Sequence, residues 1–300
     1  MKQISVYLVD AFTDQPFGGN AAGIVPDANG LTDADMQKIA RELNQSETAF
    51  LFPSTTAEAN YRIRYFTPAV EINFCGHATV GAAWLLATQL GIAEQHEQIV
   101  FDTKVGLIPI KWEKENGELT SVTMTQAAPR VKTVEYPLAK LARLLGINEH
   151  DLDDRYPLRL GSTGNWHLLV PVRNQAAIDA AKPLLAELGQ MNEEIGAYTT
   201  HLFTFDTDLP GFDVYTRDFC PAIGIPEDPV TGSANGALAG YFALEGLIPT
   251  NSSQRLKIGQ GHAIGRPGTL YATVTPGESA PVIQVSGAAV ITFAGQLRIS

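Results

Sequence analysis

Arg64-Tyr65-Phe66-Thr67-Pro68, followed by Glu71-Ile72-Asn73-Phe74-Cys75-Gly76-His77-Ala78, is written a second time in the other half of the chain. There it reads Arg217-Asp218-Phe219-Cys220-Pro221 and then Glu227-Asp228-Pro229-Val230-Thr231-Gly232-Ser233-Ala234. The shared order is Arg-x-Phe-x-Pro, then Glu-x4-Gly-[His/Ser]-Ala, with three more residues between Pro and Glu in the second copy. Each copy leaves a strand-like run and enters an apolar helix. Matches half a chain apart lie outside the short periods of solenoid repeats. They predict two similar domains, each a curved sheet around one buried helix, with both helix starts facing a shared cleft.

Outward from the repeat, strand-like runs occur at 5–9, 22–25, 48–52, 61–66, 107–112, 121–125, 167–170, 201–205, 213–219, 270–275, 283–286 and 289–293. Helical patterns are fewer. Thr32 and Asp35 form an acidic version of a capping box ahead of Met36, Ile39, Ala40 and Leu43 at i, i+3, i+4, i+7. Further helices are expected at 76–90 before Gly91, at 138–145 before Gly146, at 176–188 with a break at Pro183, and at 233–244 before Gly246. Many strands and few helices define an α+β chain rather than an alternating βαβ one.

At 300 residues the chain exceeds a single ordinary core, since domains run to roughly 100–200 residues. Its 45% hydrophobic and 18% charged content excludes disorder and fibrous classes. A net charge of −11 without a basic run opposes any polyanion, so no nucleic-acid partner is expected. No apolar run reaches the ~18–20 residues that cross a bilayer, and the opening strand-like run is no signal peptide, so a soluble cytoplasmic protein is expected. The two cysteines, Cys75 and Cys220, read as thiols rather than a bridge.

Chemistry concentrates at the two glycine turns. A helix start presents unpaired N–H groups and the positive end of the helix dipole, and glycine there admits close approach of an anion. The segments Gly76-His77-Ala78 and Gly232-Ser233-Ala234 therefore form a candidate carboxylate trap, to which the Ser233 hydroxyl adds a donor; tight packing by small residues is the alternative. His77 suits proton handling near neutral pH, or a packed core position. Glu47 stands where a capped helix meets an apolar strand, a place where a carboxylate is desolvated for acid/base work or simply ends a solvated strand. Asp228 can orient a substrate or a histidine, or cap the helix. Cys75 sits where a thiolate is favoured, but its repeat-mate is Thr231, so no matched pair of thiol bases exists. His96, His150, His167, His201 and His262 show no ligand-like spacing, and no metal site is expected.

Val9-Asp10-Ala11-Phe12-Thr13, Pro16-Phe17, Gly19-Asn20, Gln45-Ser46-Glu47-Thr48 and the two repeat copies together resemble the phenazine biosynthesis PhzF-like isomerase family, including its YddE-type branch. The resemblance runs nearly the whole length. It implies a diaminopimelate-epimerase-like fold of two pseudo-symmetric domains, each a barrel-like, mostly antiparallel sheet wrapped around a central helix, spanning 1–118 plus 287–300 and 119–286. It implies that Glu47 moves a proton, as the family's glutamate does on a cyclic dihydro-hydroxyanthranilate, with His77, Asp228 and Ser233 as the other catalytic positions. Gly76, Ala78, Gly232, Asn20 and Cys75 fall on substrate-binding positions. No cofactor, a small carboxylate-bearing substrate and a homodimer complete the expectation. Two rivals stay open: an amino-acid epimerase or racemase using Cys75, and a non-catalytic small-anion-binding protein of the same fold.

Overall fold

The computed structural model describes residues 2–299. The chain divides into two compact units, Met1–Thr125 with Ser286–Ser300, and Gln126–Val285.

In the first unit, strands follow one another across a curved sheet. Lys2–Ala11 pairs antiparallel with both Ala289–Ile299 and Asn20–Val25. Asn20–Val25 runs parallel to Glu47–Pro53, which is antiparallel to Tyr61–Phe66. Tyr61–Phe66 runs parallel to Gln98–Thr103, and the antiparallel strands Gly106–Glu115 and Glu118–Thr125 complete the order. Helix Gly76–Gln89 touches Ala289–Ile299 and Glu118–Thr125, which lie at opposite ends of that order, so the sheet wraps around it. Nearly every helix position from His77 to Ala87 is buried, which explains why its sequence is apolar all round.

The second unit repeats the pattern. Arg159–Ser162 is antiparallel to Trp166–Pro171, which is parallel to Thr199–Thr204, which is antiparallel to Val214–Cys220. Val214–Cys220 runs parallel to Gln254–Gln260, which is antiparallel to Gly268–Thr275. This alternation of pairings matches that from Lys2–Ala11 to Gly106–Glu115, and helix Gly232–Leu244 is the enclosed counterpart of Gly76–Gln89. Mostly antiparallel sheets, each around one helix, establish the α+β, epimerase-like architecture.

Local chemistry explains the element ends. Thr32 Oγ1 accepts from the Asp35 N–H, and the Asp35 carboxylate accepts from the Thr32 N–H, so helix Asp33–Leu43 starts in a reciprocal cap. Its Met36, Ile39 and Ala40 then pack with Ile4, Val6, Val25, Phe50 and Phe66 in a satellite core. Helix Leu138–Leu145 ends on Gly146 in the left-handed region. The helix expected at 176–188 is instead two helices, Gln175–Ala180 and Leu185–Ile195. The break at Pro183 holds, and Arg217 explains it further. Its Nη1 donates to the carbonyls of Ile178 and Ala181 at 2.9 and 3.2 Å, satisfying the end of the first helix. Among the described residues, no helix is long and apolar enough to cross a membrane.

Candidate active site

In the first unit the sheet brings three ordered motifs to one place. Glu47 opens its strand and pairs across the parallel ladder with Ala22, two residues beyond the buried Asn20. Asn20 follows Gly19, whose φ is +53°; a Cβ there would lie 2.1 Å from the Ala11 carbonyl oxygen, so only glycine lets the chain turn into the strand. Cys75 is the N-cap of helix Gly76–Gln89, with His77 and Ala78 in its first turn.

Glu47 is 9% exposed, and its Oε2 has no hydrogen-bond partner. That oxygen lies 3.3 Å from His77 Nε2, close enough for attraction without hydrogen-bond geometry. The Cys75 sulfur lies 3.5 Å from His77 Nδ1 and 3.8 Å from Nε2. Burial holds the His77 imidazole below its ordinary pKa, with only partial opposition from Glu47 and a hydrogen bond with the Ala21 backbone. The ring is therefore neutral near pH 7. Beneath it, Thr79 donates to the Cys75 carbonyl at 2.6 Å. Its single proton is thus committed, so the buried Tyr65 hydroxyl, 2.6 Å away, donates to Thr79. This relay fixes the first helical turn.

The second unit answers with a different polar set. Asp228 ends strand Ile225–Asp228, and Thr231 is the N-cap of helix Gly232–Leu244, with the partly exposed Ser233 in its first turn. The Thr231 hydroxyl donates to Asp228 Oδ2 at 2.5 Å rather than capping its own helix. Gln260 locks the turn: its Oε1 accepts from the Thr231 N–H and from Asn235 Nδ2, and its Nε2 donates to the Asp228 carbonyl. Asn235 Nδ2 also donates to the Thr231 carbonyl, the same i to i−4 contact that Thr79 makes to Cys75.

Behind Asn235 the network continues through His201, whose Nε2 is 3.2 Å from Asn235 Oδ1 and whose Nδ1 is 3.1 Å from Asp218. Burial pushes the Asp218 carboxyl up, but His201, His167 and the Thr199 hydroxyl outweigh it and leave it below the ordinary value. Thr199 donates to Asp218 at 2.6 Å, so His167 Nδ1, 2.8 Å away, must donate to Thr199. Burial lowers that imidazole to about 4, so it is neutral.

Thus Glu47, Cys75 and His77 lie together in the first unit, with Asn20 one residue before the Ala21 backbone that bonds His77, and Asp228, Gly232 and Ser233 share one turn in the second. Gln260, Asn235, Thr79 and Tyr65 were missed from sequence. A signal for two of them was present: Thr79 and Asn235 occupy equivalent repeat positions, each a polar residue in an otherwise apolar helix.

Both curved sheets and both glycine-started helices define the class of epimerase-like folds, and the comparisons place the chain within it. Residues 9–295 match the family described as phenazine biosynthesis-like protein, PhzC-PhzF. The chain is 39% identical to the uncharacterized isomerase YddE of Salmonella typhimurium, with 98% of each chain covered. It is 32% identical to the trans-2,3-dihydro-3-hydroxyanthranilate isomerase of Pseudomonas aeruginosa, covering 93% of this chain and 94% of that one. A solved phenazine biosynthesis protein of the PhzF family from Bacillus anthracis superposes with a TM-score of 0.91 at 35% identity, with both chains covered in full. The chain belongs to the phenazine biosynthesis-like PhzF family, and its enzymatic class is that of the isomerases.

Proposed function

We propose that this protein is a cofactor-independent isomerase that moves a proton within a small carboxylate-bearing substrate, with Glu47 as its single acid/base. The observation that carries the reading is a buried Glu47 oxygen that has no hydrogen-bond partner and lies beside a neutral imidazole at a glycine helix start. The Glu47 carboxylate takes a proton from a substrate carbon, and the electron pair of that C–H bond enters the substrate's conjugated system. The same carboxyl then returns the proton to a different carbon on the same face, so no atom is gained or lost. His77 sits where its ring can shield the carboxyl from water and hydrogen-bond the substrate. The first-turn amides at Gly76 and Gly232, with Ser233, supply donors for the substrate carboxylate, and Asp228, held by Thr231 and Gln260, orients the reacting part. A cleft shared by the two helix starts, a homodimer and a cytoplasmic setting belong to the same proposal and come from the family resemblance.

Positioning supplies about 7–11 kcal/mol of barrier reduction and acid/base transfer a further 10²–10⁴-fold or so, enough for a slow isomerisation. The testing experiment offers a panel of cyclic and acyclic amino- and hydroxy-carboxylates in deuterated buffer and follows label uptake by NMR. Uptake into one substrate by wild type, lost in Glu47→Gln, supports the reading; equal uptake by the variant overturns it.

The contact between Cys75 and His77 favours one rival, an epimerase using the thiol as base. That reading makes Cys75→Ala at least as damaging as Glu47→Gln, and it lacks a second thiol, since the position equivalent to Cys75 is Thr231, whose hydroxyl is engaged with Asp228.

A further inference from the structure

Glu47, Cys75 and His77 each offer one ligand atom, and these atoms all lie within 4.8 Å of one another. We propose that the three side chains form a binding site for a single soft divalent cation of the Zn²⁺ type. Zinc bonds of about 2.3 Å to sulfur and 2.0–2.2 Å to nitrogen and oxygen, set at tetrahedral angles, space a nitrogen roughly 3.4 Å from an oxygen and roughly 3.6 Å from a sulfur. In the structure His77 Nε2 lies 3.3 Å from Glu47 Oε2 and 3.8 Å from Cys75 Sγ. Displacements of a few tenths of an ångström complete those two spacings, and the third, between the Glu47 oxygen and the Cys75 sulfur, which is within 4.8 Å against roughly 3.6 Å around zinc, closes by side-chain movement of up to about an ångström.

Two further features fit a cation. Glu47 Oε2 is buried without a hydrogen-bond partner, so its lone pairs are uncommitted to any donor and can serve a cation. The hydrogen bond between the His77 ring and the Ala21 backbone is the kind of outer contact that fixes a metal-ligating imidazole. A bound ion deprotonates a coordinating thiol outright, so thiolate and carboxylate together balance the divalent charge. The thiolate and imidazole select Zn²⁺ or Co²⁺ over Mg²⁺ or Ca²⁺, which take oxygen ligands. Three protein ligands leave one coordination position open. The consequence for activity, unlike the site itself, rests on the function proposed above: the ion occupies the Glu47 oxygen that proton transfer needs, so metal and substrate exclude each other.

Cobalt spectroscopy tests the site without any turnover. Titrating Co²⁺ into the full-length protein is expected to raise a thiolate-to-cobalt charge-transfer band that saturates at one equivalent, is displaced by Zn²⁺ and withstands excess Mg²⁺. The band is expected to vanish in Cys75→Ala and in the near-isosteric Cys75→Ser, and affinity to fall at least about tenfold in His77→Asn. Cys220→Ala is expected to leave it intact. No band in wild type, or a band that survives Cys75→Ser and disappears in Cys220→Ala, overturns the site. Equal label uptake by wild type and Glu47→Gln in the substrate panel, with a normal cobalt spectrum, would overturn the catalytic reading alone.

Discussion

Arg64 grips Glu71 side-on, Nε to Oε1 at 2.7 Å and Nη2 to Oε2 at 2.9 Å. Arg217 repeats the grip on Glu227 at 2.9 and 2.7 Å, and each guanidinium also lies over the phenylalanine two residues on, Phe66 or Phe219. The repeated Arg-x-Phe and Glu of the sequence are thus one structural device used twice, tying a central strand to the turn that leads into the enclosed helix. Planar, two-point pairing is the reason for arginine here, since a lysine offers only a point charge.

The first prediction concerns this pair and pH. Arg64 hydrogen bonding, joined by Lys104, holds the Glu71 carboxyl at about 2, against an ordinary value of 4.5. Because the folded value is depressed, the stabilisation is complete above pH 4.5 and is lost as pH falls toward 2. Urea midpoints measured across that window are expected to fall more steeply for wild type than for Glu71→Gln. Arg64→Ala is expected to cost roughly 1–3 kcal/mol at neutral pH, the penalty for leaving a largely buried charge poorly paired. Parallel pH profiles for wild type and Glu71→Gln would contradict this.

A second expectation separates chemistry from folding. Glu47→Gln is nearly isosteric and removes only the ability to take a proton, so it should lower turnover by about 10²–10⁴-fold while leaving the thermal midpoint within a few degrees of wild type. His77→Asn should lower turnover less, since the ring shields Glu47 and hydrogen-bonds the substrate without itself carrying the transferred proton. Stopped label exchange with an intact circular-dichroism melt is the diagnostic pattern.

Much of this architecture was legible from residues. The Thr32 and Asp35 cap, the stop at Gly146 and the two apolar helices all follow from local chemistry, which acts over a few residues. Strands that break local rules were not read: Ile225–Asp228 carries Pro226, and Gln254–Gln260 is polar with an internal glycine. Both are held by their neighbours in the sheet rather than by propensity. The meeting of Glu47 with Cys75 and His77 was likewise invisible in spacing. It depends on the parallel pairing of Ala22 with Glu47 and on the helix enclosed beside them, which are long-range facts. For the same reason no metal-ligand pattern could be seen in the sequence.

Gln260 yields the third prediction. Its side chain makes four contacts in the turn that carries Asp228, accepting from Thr231 N–H and Asn235 and donating to the Asp228 carbonyl and the Thr231 hydroxyl. Gln260→Leu fills similar space but strands a buried N–H and a buried amide, costing about 1–3 kcal/mol for each unsatisfied group. Gln260→Glu keeps both acceptor contacts and loses the donor pair, so its loss in urea midpoint should be smaller. The reverse ranking would mean that burying a carboxylate against the Asp228 carbonyl costs more than all four lost hydrogen bonds.

The last prediction concerns the entry to the Glu47 region. At Gly19 two penalties coincide: φ is +53°, and an added Cβ would lie 2.1 Å from the Ala11 carbonyl oxygen and 2.9 Å from the Thr13 methyl group. Backbone atoms cannot swing aside as a flexible side chain can, so the strand Asn20–Val25 must shift. At Gly30, φ is +76° but the nearest atom is the end of the flexible Lys2 side chain, 3.3 Å away. Gly30→Ala should therefore cost only the left-handed backbone term, of order 1–2 kcal/mol, while Gly19→Ala should cost clearly more. Since Asn20 and Ala21 follow directly, and Ala21 holds the His77 ring, Gly19→Ala should also weaken Co²⁺ binding where Gly30→Ala does not. Equal melting temperatures for the two variants would show that the turn before Asn20 yields to a side chain, and equal Co²⁺ affinities would show that the ring's support does not depend on it.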